Sequence, residues 1–150
     1  EHLDMVIAPV GGGGLLSGTL LASELAGCVP AVFAAEPAQA DDAWRSVSLG
    51  RLIREPVPNT IADGLRTYLS ELTFSIISSR VHGIIRVEEQ DILSAMRLVW
   101  ERMKAVIEPS AAVALAAVLS HSFPSSVKRI GIMITGGNVD LDTLPWRGST

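Results

Sequence analysis

Four consecutive glycines at residues 11–14 are the feature that most constrains how this chain folds. They follow an apolar, β-compatible segment at residues 6–10 and precede a proline-free segment of helical composition at residues 15–26. Connections between a strand and a helix are short and rarely need four glycines, so a flexible linker explains the run poorly. Glycines leave backbone N–H groups approachable, and a helix N-terminus adds partial positive charge. The run therefore predicts an anion site, most naturally for a phosphate.

The spacing of these glycines excludes two common nucleotide-binding motifs. A dinucleotide fingerprint needs a third glycine at a position that Leu16 or Ser17 occupies here. A P-loop needs a lysine directly after its last glycine, whereas Thr19 follows Gly18. The turn thus suits a phosphate without indicating a dinucleotide or a nucleoside triphosphate.

Composition places the chain among globular proteins with a large core. Its 150 residues are 48% hydrophobic, with a mean hydropathy of +0.37. A net charge of −4 without a basic stripe argues against nucleic acid and anionic membranes as partners. The single cysteine, Cys28, excludes an internal disulfide and suits a reducing compartment, so we expect a cytoplasmic protein. No apolar run has membrane-spanning length, and because residue 1 is Glu we expect a piece of a longer chain.

Strand-like and helix-like segments alternate along the chain. The predicted strands are 6–10, 31–35, 83–87 and 130–134, and the predicted helices are 15–26, 41–46, 70–79, one that Asp91 caps, and 110–120. Residues 50–69 are rich in turn formers and predict a long ordered loop. The helix at 110–120 is apolar all round and is expected to be buried. This alternation predicts an α/β fold with a mainly parallel sheet flanked by helices.

Two glycine-containing turns follow predicted strands. One is the run at residues 11–14, and the other is the Thr-Gly-Gly-Asn sequence at residues 135–138. In open parallel sheets, ligands bind outside the carboxyl ends of the strands. Both turns would lie at that edge and could share one ligand, the first holding its phosphate and the second offering a hydroxyl and an amide. The sequence leaves open whether they meet.

A family resemblance rests on five strings of this sequence: APVGGGGLLSG, AAEPAQADDAW, TIADGLRT, LVWERMKAVIEPSAA and TGGNVDL. In order and spacing they resemble the serine racemases, which belong with the serine and threonine dehydratases to the fold-type II pyridoxal-phosphate enzymes. The resemblance covers roughly residues 5–142. It implies the tryptophan-synthase-β-like fold, with residues 1–150 forming the C-terminal part of the cofactor-binding large domain. The N-terminal half and the small domain would then lie outside this chain.

The resemblance implies a set of residues that bind pyridoxal 5'-phosphate. The backbone amides of Gly11, Gly12, Gly13, Gly14 and Leu15 would hold its phosphate. Thr135 matches the family's serine against the pyridine nitrogen. A hydroxyl there can hydrogen-bond the nitrogen but cannot keep it protonated as a carboxylate would. Alternatively, Thr135 is a turn residue whose hydroxyl bonds its own backbone.

Glu36, Ala40 and Asp42 match the family's divalent-cation site, with Ala40 contributing its carbonyl. Carboxylate and carbonyl oxygens are the hard ligands that suit magnesium, manganese or calcium. The spacing alone favours a simpler interpretation, in which Asp41 and Asp42 cap a helix and Glu36 is solvated at a strand end. The resemblance favours the cation.

Lys104 and Asn138 match positions that bind ATP in the nucleotide-activated animal enzymes, so the resemblance implies ATP as a candidate activator. Lys104 would otherwise be a solvated lysine on an amphipathic helix. Glu108 resembles a carboxylate near the cofactor, or else it caps the helix that begins at Pro109.

The family's reaction needs a lysine that forms a Schiff base with the cofactor. The two lysines here, Lys104 and Lys128, lie outside the family's nucleophile context, so no catalytic residue is assigned in this chain. The resemblance implies a homodimeric serine racemase with serine dehydratase activity, with serine as its substrate and threonine as a further candidate substrate. The 150-residue chain alone is expected to be inactive. The alternatives are a serine/threonine or hydroxyaspartate ammonia-lyase, and a non-catalytic remnant that binds the cofactor.

Overall fold

The computed structural model describes residues 2–27, 30–144 and 146, and Cys28 lies outside the described residues. Within them, one parallel sheet comprises β1 (Met5–Pro9), β2 (Ala31–Pro37), β3 (Gly83–Val87) and β4 (Ile130–Ile132), in the order β3-β2-β1-β4. The helices are α1 (Gly14–Leu25), α2 (Asp42–Leu49), α3 (Glu71–Arg80), α4 (Glu89–Met103) and α5 (Pro109–Ser120). Short 3₁₀ turns lie at Ala38–Ala40 and Asp63–Leu65. The predicted α/β fold with a parallel sheet is confirmed.

β1 is a central strand whose residues are buried on both faces of the sheet. Met5 and Ile7 belong to the core that α4 and α5 complete. Val6 and Ala8 belong to a second core, which α1, α2 and α3 complete. Because side chains alternate between the faces of a strand, one continuous apolar run supplies both cores. Such runs are typical of parallel strands that helices cover on both sides.

α5 is buried along most of its length, as its composition predicts. Its buried residues are Ser110, Ala111, Ala112, Val113, Ala114, Ala116 and Ala117. The small alanine side chains let the helix lie directly on β1, β2 and β3 and against α4. Only its last turn departs from the prediction, since Leu119 is 57% exposed. None of the helices in the described part of the chain is both long enough and apolar enough to cross a membrane.

α4 and α3 are among the helices that begin at residues other than those predicted. α4 begins at Glu89, so Asp91 lies inside its first turn and is not the cap. An acidic residue in the first turn is still favoured there by the helix dipole. α3 begins at Glu71, because Ser70 and Thr73 form a capping box in which each side chain accepts the other's backbone N–H.

β4 is shorter than predicted because its partner strand cannot extend the ladder. The predicted strand at 130–134 ends at Ile132, after which the Met133 N–H donates to the Ile7 carbonyl at 2.9 Å. In a parallel pair, alternate residues bond the same neighbour, so Pro9 would bond β4 next. Pro9 has no N–H, and the ladder stops there.

Asp4 connects the start of β1 to the chain just before β4. Its Oδ2 accepts hydrogen bonds from the N–H groups of Lys128 and Arg129, both at 2.8 Å. These bonds, chiefly the one from Lys128, lower the pKa of the Asp4 carboxyl from its ordinary value of 3.8. The ionised carboxylate therefore holds the β1–β4 pair together more strongly than the protonated acid does.

Asp4→Asn should remove a pH-dependent part of the stability. Because the folded pKa lies below the unfolded value of 3.8, the carboxylate stabilises the fold above that pH, and its contribution is lost as the pH falls through the folded pKa. The difference in free energy of unfolding between wild type and Asp4→Asn should be constant above about pH 5 and shrink toward about pH 3. Urea denaturation across this range measures it. A difference that stays constant throughout would contradict the assignment.

Candidate cofactor site

The glycine turn (residues 11–14) joins β1 to α1 and is shaped by packing as well as by backbone conformation. Gly13 is the N-cap residue of α1 with a φ of 84°, in the left-handed region that favours glycine. A Cβ on Gly13 would lie 2.8 Å from the Ile77 side chain of α3. Gly14, in contrast, is exposed, and a Cβ there would meet nothing within 4 Å. The turn is therefore closed toward α3 and open on its other side.

No side chain in the described part of the chain caps the backbone donors at the N-terminus of α1. The helix has no side-chain cap and no acidic residue in its first turn. First-turn N–H groups have no acceptor within their own helix. These donors and the positive end of the helix dipole are thus available to an external anion. The geometry fits the phosphate that the glycine run predicts.

The glycine turn lines a cavity of about 240 Å³, called the glycine cavity below. Its lining residues are Pro9, Gly11, Gly12, Gly13, Gly14, Leu15, Gly64, Leu65, Glu108, Ser110 and Thr135. The structure thus brings Thr135, which follows β4, to the turn that follows β1. The Thr135 hydroxyl makes no hydrogen bond to any described residue, so the alternative that it bonds its own backbone is wrong. It is exposed and free to contact a ligand.

The loop at residues 60–66 forms the opposite wall of the glycine cavity. The Gly64 N–H donates to the Ser110 Oγ at 3.0 Å, which fixes the loop to the start of α5. A Cβ on Gly11 would lie 3.0 Å from the Leu65 Cα, so the loop rests directly on the glycine turn. The width of the cavity therefore depends on where this loop is held.

Two charged side chains hold the 60–66 loop in place. Glu89 Oε2 accepts the Ile61 N–H at 2.8 Å from the first turn of α4. The Arg66 guanidinium donates to the Thr60 carbonyl, with its Nε at 2.8 Å. Reasoning from the residues identified an ordered loop here but missed its place in the site, because Glu89 is 28 positions from its partner.

Glu108 holds the turn at residues 135–138. It is the N-cap residue of α5 by position, but its side chain makes no cap hydrogen bond, so that alternative is wrong. Its Oε2 instead accepts the Asn138 N–H at 2.8 Å. Gly136, with a φ of 94°, lies so close that a Cβ there would be 2.6 Å from the Glu108 Cδ. The Glu108 carboxylate thus lines the cavity and positions the turn that carries Thr135.

Glu36 is a buried carboxylate at the end of β2, only 1% exposed. Its Oε1 accepts the Ala43 N–H at 2.8 Å and its Oε2 accepts the Trp44 N–H at 2.9 Å. It therefore caps α2, whereas Asp41 at the N-cap position makes no side-chain cap bond. The interpretation of Glu36 as solvated and Asp41 as a cap is wrong, because β2 ends against the start of α2.

Two buried carboxylates next to Ala40 have raised pKa values. Burial raises the pKa of Glu36 well above its ordinary value of 4.5. Burial also raises the pKa of Asp42 to about 6, and its buried Oδ2 has no hydrogen-bond partner in the described part of the chain. No three His, Cys, Asp or Glu side chains converge on a metal among those residues. A cation would draw further ligands from a carbonyl such as that of Ala40 and from water, a donor set that suits a hard divalent ion.

The structure does not bring Lys104 and Asn138 to one cavity. Lys104 ends α4 with a φ of 56°, is exposed, and its Nζ donates to the Glu101 carbonyl at 2.8 Å. Asn138 lines a different cavity of about 400 Å³, beside Arg66. Lys104 is not among the described residues that line that cavity. A shared role of the two residues stays a prediction.

Alanine at two glycines of this region should have opposite effects on stability. Gly13→Ala should destabilise the protein by about 2–4 kcal/mol, because the left-handed backbone and the contact with α3 both reject a Cβ. Gly18→Ala should stabilise it by about 0.5–1 kcal/mol, because Gly18 lies within α1 with open space around it. Urea denaturation of both variants provides the measurement, and equal shifts would contradict this account of the turn.

The sequence and the fold were compared with those of known proteins. The family described as pyridoxal-phosphate dependent enzyme matches residues 1–136. The serine racemase of Dictyostelium discoideum is 51% identical over 148 residues, covering 96% of this chain and 46% of that protein. The β-hydroxyaspartate dehydratase of Paracoccus denitrificans is 46% identical over 146 residues, covering 97% of this chain and 46% of that protein. Maize serine racemase superposes with a TM-score of 0.89 at 43% identity, over 95% of this chain and 45% of that one.

These similarities extend over nearly the whole chain, which spans about half the length of the curated relatives that it matches. The matched residues include the glycine turn and the 60–66 loop, and they end within the turn that carries Thr135. Because the family match covers 136 of 150 residues, the chain belongs to the family of pyridoxal-phosphate dependent enzymes.

Proposed function

We propose that this chain is the cofactor-binding part of a serine racemase that also dehydrates serine to pyruvate and ammonia. The observation that carries the proposal is the meeting of the glycine turn, Thr135 and Glu108 around one cavity at the uncapped start of α1. The identity with serine racemases supports this choice of reaction. Residues 1–150 would be the C-terminal part of the large domain. The cofactor lysine and the small domain would come from segments outside this chain.

The glycine turn would bind the phosphate of pyridoxal 5'-phosphate. The backbone N–H groups there need an acceptor, and the start of α1 carries no acidic residue that would compete. When bound, this cofactor supplies an electron sink that stabilises negative charge at the substrate Cα. The 60–66 loop, fixed to Ser110, would exclude water from the opposite side of the cavity.

Thr135 would face the pyridine nitrogen of the cofactor. Its hydroxyl can donate a hydrogen bond to the unprotonated nitrogen, whereas a carboxylate in its place would favour the protonated form. Thr135 would therefore orient the ring without holding a proton on it. Glu108 lies on the same cavity, but its Oε2 is engaged by the Asn138 N–H and so keeps the Thr135 turn in position.

Glu36, Asp42 and the Ala40 carbonyl, called the cation site below, would hold a divalent cation such as magnesium, manganese or calcium. The buried Asp42 Oδ2 lacks a partner, which supports this assignment. The Leu69 backbone acts to lower the pKa of Asp42, and the Leu69 side chain lies 2.8 Å from where a Gly13 Cβ would be. A cation at this site would thus stabilise the layer behind the glycine turn.

The proposals for how the enzyme is regulated and how it assembles rest on the family resemblance. We propose that ATP activates the enzyme by binding at Lys104 and Asn138, and the guanidinium of Arg66 beside Asn138 would suit a nucleotide phosphate. The whole enzyme would be a cytoplasmic homodimer that acts on serine and on threonine.

An ammonia-lyase is the second candidate function. The 46% identity with a β-hydroxyaspartate dehydratase favours it, since that relative covers as much of this chain as the serine racemase does. The glycine cavity would serve either reaction, because the two differ in what becomes of the β-substituent after the Cα proton leaves.

Product analysis of the protein that contains this chain distinguishes the two functions. Supplied with pyridoxal phosphate, Mg²⁺ and L-serine, a racemase forms D-serine, with pyruvate as the second product. Thr135→Ser should keep the rate within about twofold, and Thr135→Val should lower it by about tenfold or more, because the hydrogen bond to the ring is lost. A protein that forms no D-serine from L-serine but converts hydroxyaspartate, supplied in a second assay, would be the ammonia-lyase. Absence of both activities would overturn the proposal.

Glu89→Ala should weaken pyridoxal phosphate binding by about three- to tenfold, since the 60–66 loop loses its bond to α4. Glu89→Gln should keep the affinity for pyridoxal phosphate close to that of wild type, because the amide oxygen can still accept the Ile61 N–H. Glu88→Ala is the matched control, as Glu88 is an exposed neighbour whose side chain makes no cap bond. Fluorescence titration with the cofactor gives the affinities. Equal losses in Glu88→Ala and Glu89→Ala would refute this role for Glu89.

A further inference from the structure

Asp41 lies between Ala40 and Asp42 of the cation site, but its carboxylate is engaged elsewhere. Its side chain is 4% exposed, and each oxygen meets a guanidinium. Oδ1 lies 2.7 Å from Arg45 Nε, and Oδ2 lies 3.0 Å from Arg86 Nη1. Both oxygens of a third acidic residue are therefore occupied by cationic side chains.

Arg86 is fixed in this position from several directions. The register of β2 and β3 places it directly opposite Glu36. Its guanidinium carbon lies 3.9 Å from the centroid of the Trp44 ring, a cation–π contact. The Trp44 N–H in turn donates to Glu36 Oε2 at 2.9 Å. Arg86 thus contacts both Asp41 and the residue that holds a ligand of the cation site.

We infer that Arg86 and Arg45 hold the Asp41 carboxylate out of the cation site and thereby limit its anionic ligands to Glu36 and Asp42. The inference rests on the proposed cation site. Cation affinity rises with the number of anionic ligands, so a free third carboxylate would tighten binding. Because two arginines balance the charge of Asp41, the carboxylates of Glu36 and Asp42 remain, and their combined charge matches that of one divalent cation. Arg86 is in this sense a residue that determines affinity, without itself touching the cation.

The variant Arg86→Gln tests this inference in the protein that contains this chain. It removes a positive charge near the site and frees one oxygen of Asp41, and both changes favour a cation. The dissociation constants for Mg²⁺ and Mn²⁺ should fall by about three- to tenfold. Isothermal titration at one fixed pH measures them, with the rise in melting temperature on adding each metal as a second readout.

Three further variants separate this effect from general changes in charge or folding. Asp41→Asn combined with Arg86→Gln removes both members of the ion pair and should return the affinity to within about twofold of wild type. Arg97→Gln makes the same charge change in the exposed Arg97–Glu101 pair of α4 and should leave the affinity unchanged. Arg45→Gln should tighten binding in the same way, and it decides the question if Arg86→Gln does not fold.

The outcomes distinguish this inference from the proposed site itself. Wild-type protein that binds neither Mg²⁺ nor Mn²⁺ would overturn the cation site and the inference together. Wild-type binding that is unchanged or weaker in Arg86→Gln and Arg45→Gln would overturn the inference and leave the site standing. Equal tightening in Arg97→Gln would also overturn it, since the effect would then be one of net charge.

Discussion

The parallel pairing of β1 between β2 and β4 is the constraint on which the site depends. Parallel strands place all their carboxyl ends at one edge of the sheet, where ligands bind in folds of this kind. The glycine turn follows β1, Asp41 and Asp42 follow β2, and Thr135 follows β4. Segments more than 120 positions apart in sequence, such as the glycine turn and Thr135, therefore meet at one cavity. The apolar run of β1 enables this, because it allows helices to cover both faces of the sheet.

The glycine turn combines tight packing on one side with the proposed phosphate binding on the other. Gly13 is pressed against α3, so the turn cannot move outward without losing core contacts. The donors of Gly14 and of the next residues of α1 remain uncovered on the opposite side. Because one face of the turn is fixed by apolar packing, the other can keep N–H groups without a side-chain cap and still hold its shape. The packing of the turn against α3 thus fixes the positions of the backbone N–H groups on its opposite side.

The sequence predicts the elements of this fold well and the contacts between them poorly. Strand and helix positions follow from local periodicity and from glycine and proline, so errors are confined to ends such as Asp91 and Ile134. The burial of Glu36 depends on where β2 ends relative to α2, which no local pattern encodes. The contact of the Trp44 ring with Arg86 likewise depends on the β2–β3 register and on where α2 begins. Only the family resemblance predicts a cation site here, and that site stays a prediction.

Three neighbouring acidic residues illustrate how a buried carboxylate can be accommodated. Each loses hydration on folding, a loss that is costly unless charges or hydrogen bonds replace the water. Asp41 is compensated by two arginines and Glu36 by two N–H groups of α2. Asp42 keeps one buried carboxylate oxygen without a hydrogen-bond partner in the described part of the chain. Since native structures leave few such atoms unsatisfied, the unpaired oxygen of Asp42 is the feature of this cluster that motivates the proposed cation site.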